Sequence, residues 1–140
     1  MKRVLAFCMM VLLFCSCSSD RSYPFENRGE PIESIELLYY PWINNSNEEF
    51  MQFRLIRELE KDEISAFMDQ VYELETACTL GEPFGNYGAY IAKVNYENGD
   101  TEYLGTHHIE LVKAGDTPGA VGIYFFKTDA FEKLFSEYAW

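Results

Sequence analysis

From residue 31 onward, apolar and polar positions alternate in two rhythms. The stretch 32–40, IESIELLYY, has period two and puts Ile35, Leu37 and Tyr39 on one face before Pro41 stops it. After the polar turn INNSNEE, the run FMQFRLIREL alternates again, with Met51, Phe53 and Leu55 opposite Gln52 and Arg54. The two runs predict a hairpin with a loose loop.

The rhythm then changes. Ile64, Phe67, Met68, Val71 and Tyr72 fall at i, i+3, i+4, i+7 and i+8, with Glu63, Asp69, Gln70 and Glu73 on the other side. This spacing predicts an amphipathic helix of three to four turns. Glu60, Asp62 and Glu63 sit where the helix dipole favours negative charge, and Leu59 and Ile64 have the spacing of a hydrophobic staple. Gly81 and Pro83 close the segment.

Period two returns in YGAYIAKVNYENGDTEYLGTHHIELV, where Asn98-Gly99 suits a two-residue type I′ turn. Counting back from that turn pairs Tyr96 with Thr101 and Val94 with Tyr103. Continued alternation sends His107 inward with Tyr103 and Ile109, and His108 outward with Glu110. AVGIYFFK is a third consecutive strand. TDAFEKLFSEYAW returns to helical spacing through Phe131, Leu134, Phe135 and Tyr138, with Thr128 or Asp129 as cap and Glu132 completing a capping box. The order is ββαβββα. It predicts an α+β domain over residues 31–140: an antiparallel sheet of about five strands with two helices on one face.

The first 20 residues follow different rules. Lys2 and Arg3 precede an uninterrupted apolar run from Val4 to Cys15, which is 12 residues long. A bilayer crossing needs about 20 apolar residues, so the run has the form of a secretory signal peptide, 1–16. Its end, Phe14-Cys15-Ser16-Cys17, resembles the lipobox of bacterial lipoproteins, departing from it at Phe14, where Leu is usual. The resemblance covers the first 20 residues or so. It implies that Cys17 receives a diacylglycerol and becomes the first mature residue; Cys15, preceded by bulky Phe14, fits the role less well. It also implies a bacterial extracytoplasmic location on the cell membrane or the outer membrane, and Ser18 does not match the inner-membrane retention signal, which has Asp there. Two or three acyl chains hold a protein stably where one would exchange, since each buried CH₂ contributes about 0.8 kcal/mol. Residues 17–30 are then the lipidated cysteine and a flexible tether.

Loss of residues 1–16 removes Lys2 and Arg3 and no acid, taking the net charge from −12 to −14 over 124 residues. Nucleic-acid binding by phosphate neutralisation is excluded, basic partners are favoured, and the body is repelled by anionic lipid. Cys78 is the one cysteine left outside the signal and lipidation site, and burial suits its surroundings, ETACTLG.

We find no catalytic motif, metal-ligand set or cofactor fingerprint. His108-Ile109-Glu110 matches half of a zinc-deaminase signature whose C-x-x-C half is absent. The aromatics are the candidate binding residues: Tyr39, Tyr40 and Trp42 where the first strand meets its loop, and Phe84 and Tyr87 in the Gly-rich entry to the third. Their structural alternative is capping the ends of the core. The expected function is that of an anchored protein-interaction module; the alternative is a small-ligand or glycan-binding lipoprotein, and an enzyme of unrecognised type comes third.

Overall fold

The computed structural model describes residues 21–40, 53–79, 88–118 and 124–140. The chain is α+β, with one antiparallel sheet. Its strands are β1 (Ile32–Tyr39), β2 (Arg54–Glu58), β3 (Thr76–Cys78), β4 (Tyr90–Tyr96), β5 (Thr101–Gly105), β6 (Ile109–Val112) and β7 (Tyr124–Phe126). The helices are α1 (Lys61–Glu73) and α2 (Ala130–Ala139). The sheet order is β2-β1-β4-β5-β6-β7-β3. Seven strands replace the expected five for two local reasons. Residues 101–112 are not one arm: a tight turn, closed by the Gly105 N–H donating to the His108 carbonyl at 2.9 Å, divides them into β5 and β6. The three-residue β3 is too short to show alternation, and it pairs with β7 from Thr76↔Phe126 to Cys78↔Tyr124.

The predicted stripes are the core. Phe67, Met68 and Val71 of α1 and Phe131, Leu134, Phe135 and Ala139 of α2 join Ile35, Leu37, Ala92, Val94, Tyr96 and Leu104 in one buried cluster. Each fully buried large side chain contributes about 1.5–3 kcal/mol. Phe131 is stacked on Phe126 with centroids 4.5 Å apart, and Phe67 meets Tyr138 edge-on at 5.1 Å. A smaller cluster of Leu38, Ile91, Tyr103 and Val112, with Phe53 against it, lies on the other side of the sheet. On that side Lys93 pairs with Glu36 at 2.8 Å and the Asn95 amide donates to Ser34 Oγ at 2.9 Å, both across β1 and β4.

Helix α1 starts as its acids predict. Glu60 is the N-cap, and the Glu63 carboxylate accepts the Glu60 N–H at 2.8 Å. Arg57 ties β2 to both helices, pairing with Glu63 and donating to the Tyr138 carbonyl at 3.1 Å. Helix α2 departs from the expected capping box. Asp129 is the N-cap but makes no side-chain cap bond; Thr128 Oγ1 accepts the Ala130 N–H at 3.2 Å, and Asp129 pairs with Lys133 instead.

The β4–β5 turn corrects the register. The Gly99 N–H donates to the Tyr96 carbonyl, Tyr96 N–H to the Asp100 carbonyl, and Gly99 has φ +90°. The loop is thus three residues, 97–99, with its left-handed position filled by glycine. Asn95 pairs with Thr101 and Val94 with Glu102, not with Tyr103. A one-residue slip exchanges the two faces. Tyr103 therefore joins the smaller cluster, and Glu102 points into the helix-covered core.

The tether also needs correction. From Tyr23 onward, residues expected to be flexible are packed. Tyr23 is buried within the main cluster and Asn27 is buried beside Asp100. The folded unit therefore begins about eight residues earlier than residue 31. Turns closed by Arg28 N–H to Phe25 O and Glu30 N–H to Asn27 O shape the segment. Phe25 has φ +43°, unusual for a bulky residue. Its ring is held edge-on by Tyr23 at 4.8 Å and Tyr72 at 5.1 Å, contacts that offset the backbone cost.

Candidate functional site

Three regions hold the residues of interest: the clasp that fastens the N-terminal segment, a groove beside it, and the far edge of the sheet. The clasp centres on Glu102, which has no solvent exposure. Tyr23 Oη donates to its Oε1 at 2.7 Å and Tyr96 Oη to its Oε2 at 2.6 Å. Burial raises the Glu102 pKa, while the two hydroxyl donors pull it back down. Burial, reinforced by the adjacent carboxylate, in turn pushes both tyrosine hydroxyls above their ordinary value. A second point of attachment lies one residue pair away. Asp100 accepts the Asn27 amide at 2.9 Å, the Ala114 N–H at 3.0 Å and Lys113 Nζ at 3.3 Å. These bonds, with that of Asn27 first, lower the Asp100 pKa. A third bond runs from the Tyr23 N–H to Thr76 Oγ1 at 2.7 Å. The segment 23–30 is thus fastened to β3, to β5 and to the β4–β5 turn.

The groove opens where this segment meets the end of α1 and the β3 edge. It holds about 500 Å³ and is lined by Tyr23, Phe25, Arg28, Tyr72, Thr76 and Lys127, among others. The Arg28 guanidinium lies 4.5 Å over the Tyr72 ring, a cation–π contact, and Lys127 faces Glu75 at 3.6 Å.

The far edge is β2. It carries Leu55, 60 % exposed, opposite Leu38, and Arg54 opposite Tyr39. Tyr39 and Tyr40, both sequence candidates, stand here but do not share a surface. Tyr39, 36 % exposed, leans on Tyr90 at 5.7 Å, and Tyr90 reaches Phe135 of α2. Tyr40 meets Phe53 at 5.8 Å on the side of the smaller cluster. Trp42, Phe84, Tyr87 and Cys17 lie outside the described residues.

The histidines are placed opposite to expectation. His107 is exposed and His108 has no exposure, because the Gly105–His108 turn interrupts the alternation that was carried through it. His108 Nε2 lies 3.6 Å from Glu110 Oε2. Cys78 is buried with a free thiol. Among the described residues, no three His, Cys, Asp or Glu side chains are grouped to hold a metal ion, and no helix is long and apolar enough to cross a membrane.

Sequence reasoning missed Tyr23, Asn27, Asp100 and Glu102. The usable signal was in the segment read as a tether: Tyr23-Pro24-Phe25 places two large aromatic rings where a solvated linker needs none. No protein-family model, curated protein or solved structure matches this chain.

Proposed function

We propose that the protein is a lipid-anchored extracytoplasmic lipoprotein that acts as a protein-interaction module, attached through Cys17 and engaging its partner along the β2 edge. The anchor rests on the signal-like residues 1–16 and the lipobox-like Phe14–Cys17. The observation that carries the binding surface is Leu55, 60 % exposed on an edge strand of the sheet and opposite Leu38 of the smaller cluster. Edge strands offer backbone donors and acceptors for a further strand, and a large apolar side chain there adds area that water does not favour. The net charge of −14 after loss of Lys2 and Arg3 steers a basic partner toward the domain.

The test is capture from detergent-solubilised envelopes by the intact lipidated protein and by its Leu55→Asp variant. A protein recovered in stoichiometric amount by the first and lost by the second, at unchanged melting temperature, supports the reading. Equal recovery by both removes β2 from it. Retention on a glycan array, with no protein partner recovered, favours the small-ligand or glycan-binding alternative.

A further inference from the structure

The corrected tether has a consequence for how the domain stands on its membrane. Tyr23 is fixed by two hydrogen bonds, from its N–H to β3 and from its hydroxyl to β5, and by packing in the main cluster. Six chain links separate it from Cys17. At ~3.5 Å each, they reach roughly 21 Å when fully extended. As a random coil the same links span about 13 Å. A lipid on Cys17 therefore holds the Tyr23 end of the fold within one short reach of the headgroups, whatever the repulsion acting on the acidic body.

The surface at that end has a chemistry unlike the domain average. Two cations, Arg28 and Lys127, line the groove there against one acid, Glu75, in a chain whose acids outnumber its bases 23 to 11. Arg28 and Lys127 border the groove together with the aromatic rings of Phe25 and Tyr72. Cations beside aromatic rings suit the interfacial layer, where phosphates accept from guanidinium and ammonium groups and rings lie among the glycerol backbones. The opposite end of the sheet is β2. Six inter-strand spacings of ~4.8 Å separate it from β3, roughly 29 Å in all.

We infer that the groove between the N-terminal segment and the β3 edge lies against the headgroup phosphates of the membrane that carries the Cys17 lipid, and that the β2 edge with Leu55 points away from it. This orientation rests on lipidation at Cys17. It deepens the proposed function, because it puts the partner-binding edge on the membrane-distal side.

The experiment uses the full lipidated protein in a Cys78→Ala background, reconstituted into vesicles of phosphatidylcholine, phosphatidylglycerol and a nickel-chelating lipid. Nitroxide labels are placed at Glu75→Cys, on the groove rim and 78 % exposed in its side chain, or at Leu55→Cys on β2. Relaxation enhancement by the headgroup nickel is expected to be several-fold larger at position 75 than at position 55. Adding Lys127→Gln is expected to reduce the enhancement at position 75 and leave position 55 unchanged. Equal enhancement at the two positions, or the reverse order, overturns the orientation while leaving the anchor intact. An intact mass without acyl groups on Cys17, taken from the same sample, overturns the anchor itself and the orientation with it.

Discussion

Replacing Tyr23 by Phe removes one oxygen and little else. The ring keeps its edge-on contacts to Phe25 at 4.8 Å and Tyr124 at 5.3 Å, and the backbone N–H keeps Thr76. What goes is the 2.7 Å bond to Oε1 of a carboxylate with no solvent exposure. A hydrogen bond to a charged group contributes about 1.5–3 kcal/mol, and one between neutral groups about 0.5–1.5. The cost of Tyr23→Phe therefore depends on the protonation of Glu102. Burial raises the Glu102 pKa; below that raised value the carboxyl is neutral and the lower figure applies. Above its raised pKa the carboxylate is charged and loses one of its two donors, and the higher figure applies. At about 4 °C per kcal/mol for a domain of this size, the melting temperature should fall by about 8 °C at alkaline pH and about half that or less in acid.

Thermal unfolding of the protein lacking residues 1–17, followed by circular dichroism across pH, reads this directly. A loss of stability equal at both ends of the pH range would mean that only packing was disturbed. A loss below about 2 °C throughout would mean that the hydroxyl contributes nothing net, against the range for a charge-assisted bond.

Three further substitutions test the packing. Phe67→Ala empties a fully buried site between α1, Tyr138 and the sheet and should cost about 3–5 kcal/mol in urea unfolding, with an unchanged denaturant slope. Gly88→Ala forces a side chain onto φ +91° with its Cβ 1.9 Å from Thr106 Oγ1, and should cost about 1–3 kcal/mol; Thr106→Ala in the same chain should restore only part, because the backbone strain stays. Arg57→Met removes the pair with Glu63 and the bond to Tyr138 O, but both side chains are about one-third exposed, so the melting temperature should change by no more than the equivalent of about 1 kcal/mol.

Elements long enough to repeat a period were legible in the sequence. Ile64 to Tyr72 marked α1, Phe131 to Tyr138 marked α2, and Ile35 and Leu37 marked the inward face of β1, all from spacing alone. The two errors of face share one cause, that parity was carried across a turn whose length was assumed. At Asn98-Gly99 the assumed loop was one residue too short, which exchanged Glu102 with Tyr103. At 105–108 an unrecognised turn exchanged the histidines. Local pattern could not correct the first error, because either register buries one awkward residue. The choice is made by Tyr23, which supplies a hydroxyl to Glu102 from 79 positions away. No local window contains both partners, and the segment holding Tyr23 looked like linker for the same reason.

The clasp carries two carboxylates whose pKa values move in opposite directions, and together they give the stability of the fold a pH optimum. Asp100 is lowered, chiefly by the Asn27 amide and then the Ala114 N–H. Its contribution is present above the unfolded carboxylate range and is lost as pH falls through the lower folded value. Glu102 is raised by burial. Its folded state holds a proton that the unfolded state has released, so stability is lost as pH rises from the unfolded carboxylate range through the higher folded value. As far as these two groups decide it, the fold should therefore be most stable between the two folded values and lose stability on either side. The unfolding free energy from urea titrations repeated across pH reads this directly. Asp100→Asn should flatten the acid limb and leave the alkaline one, and Glu102→Gln should do the reverse. If either variant flattens both limbs, or if stability rises steadily with pH in the unaltered protein, the two groups do not titrate with opposite sign and this account of Glu102 and Asp100 fails.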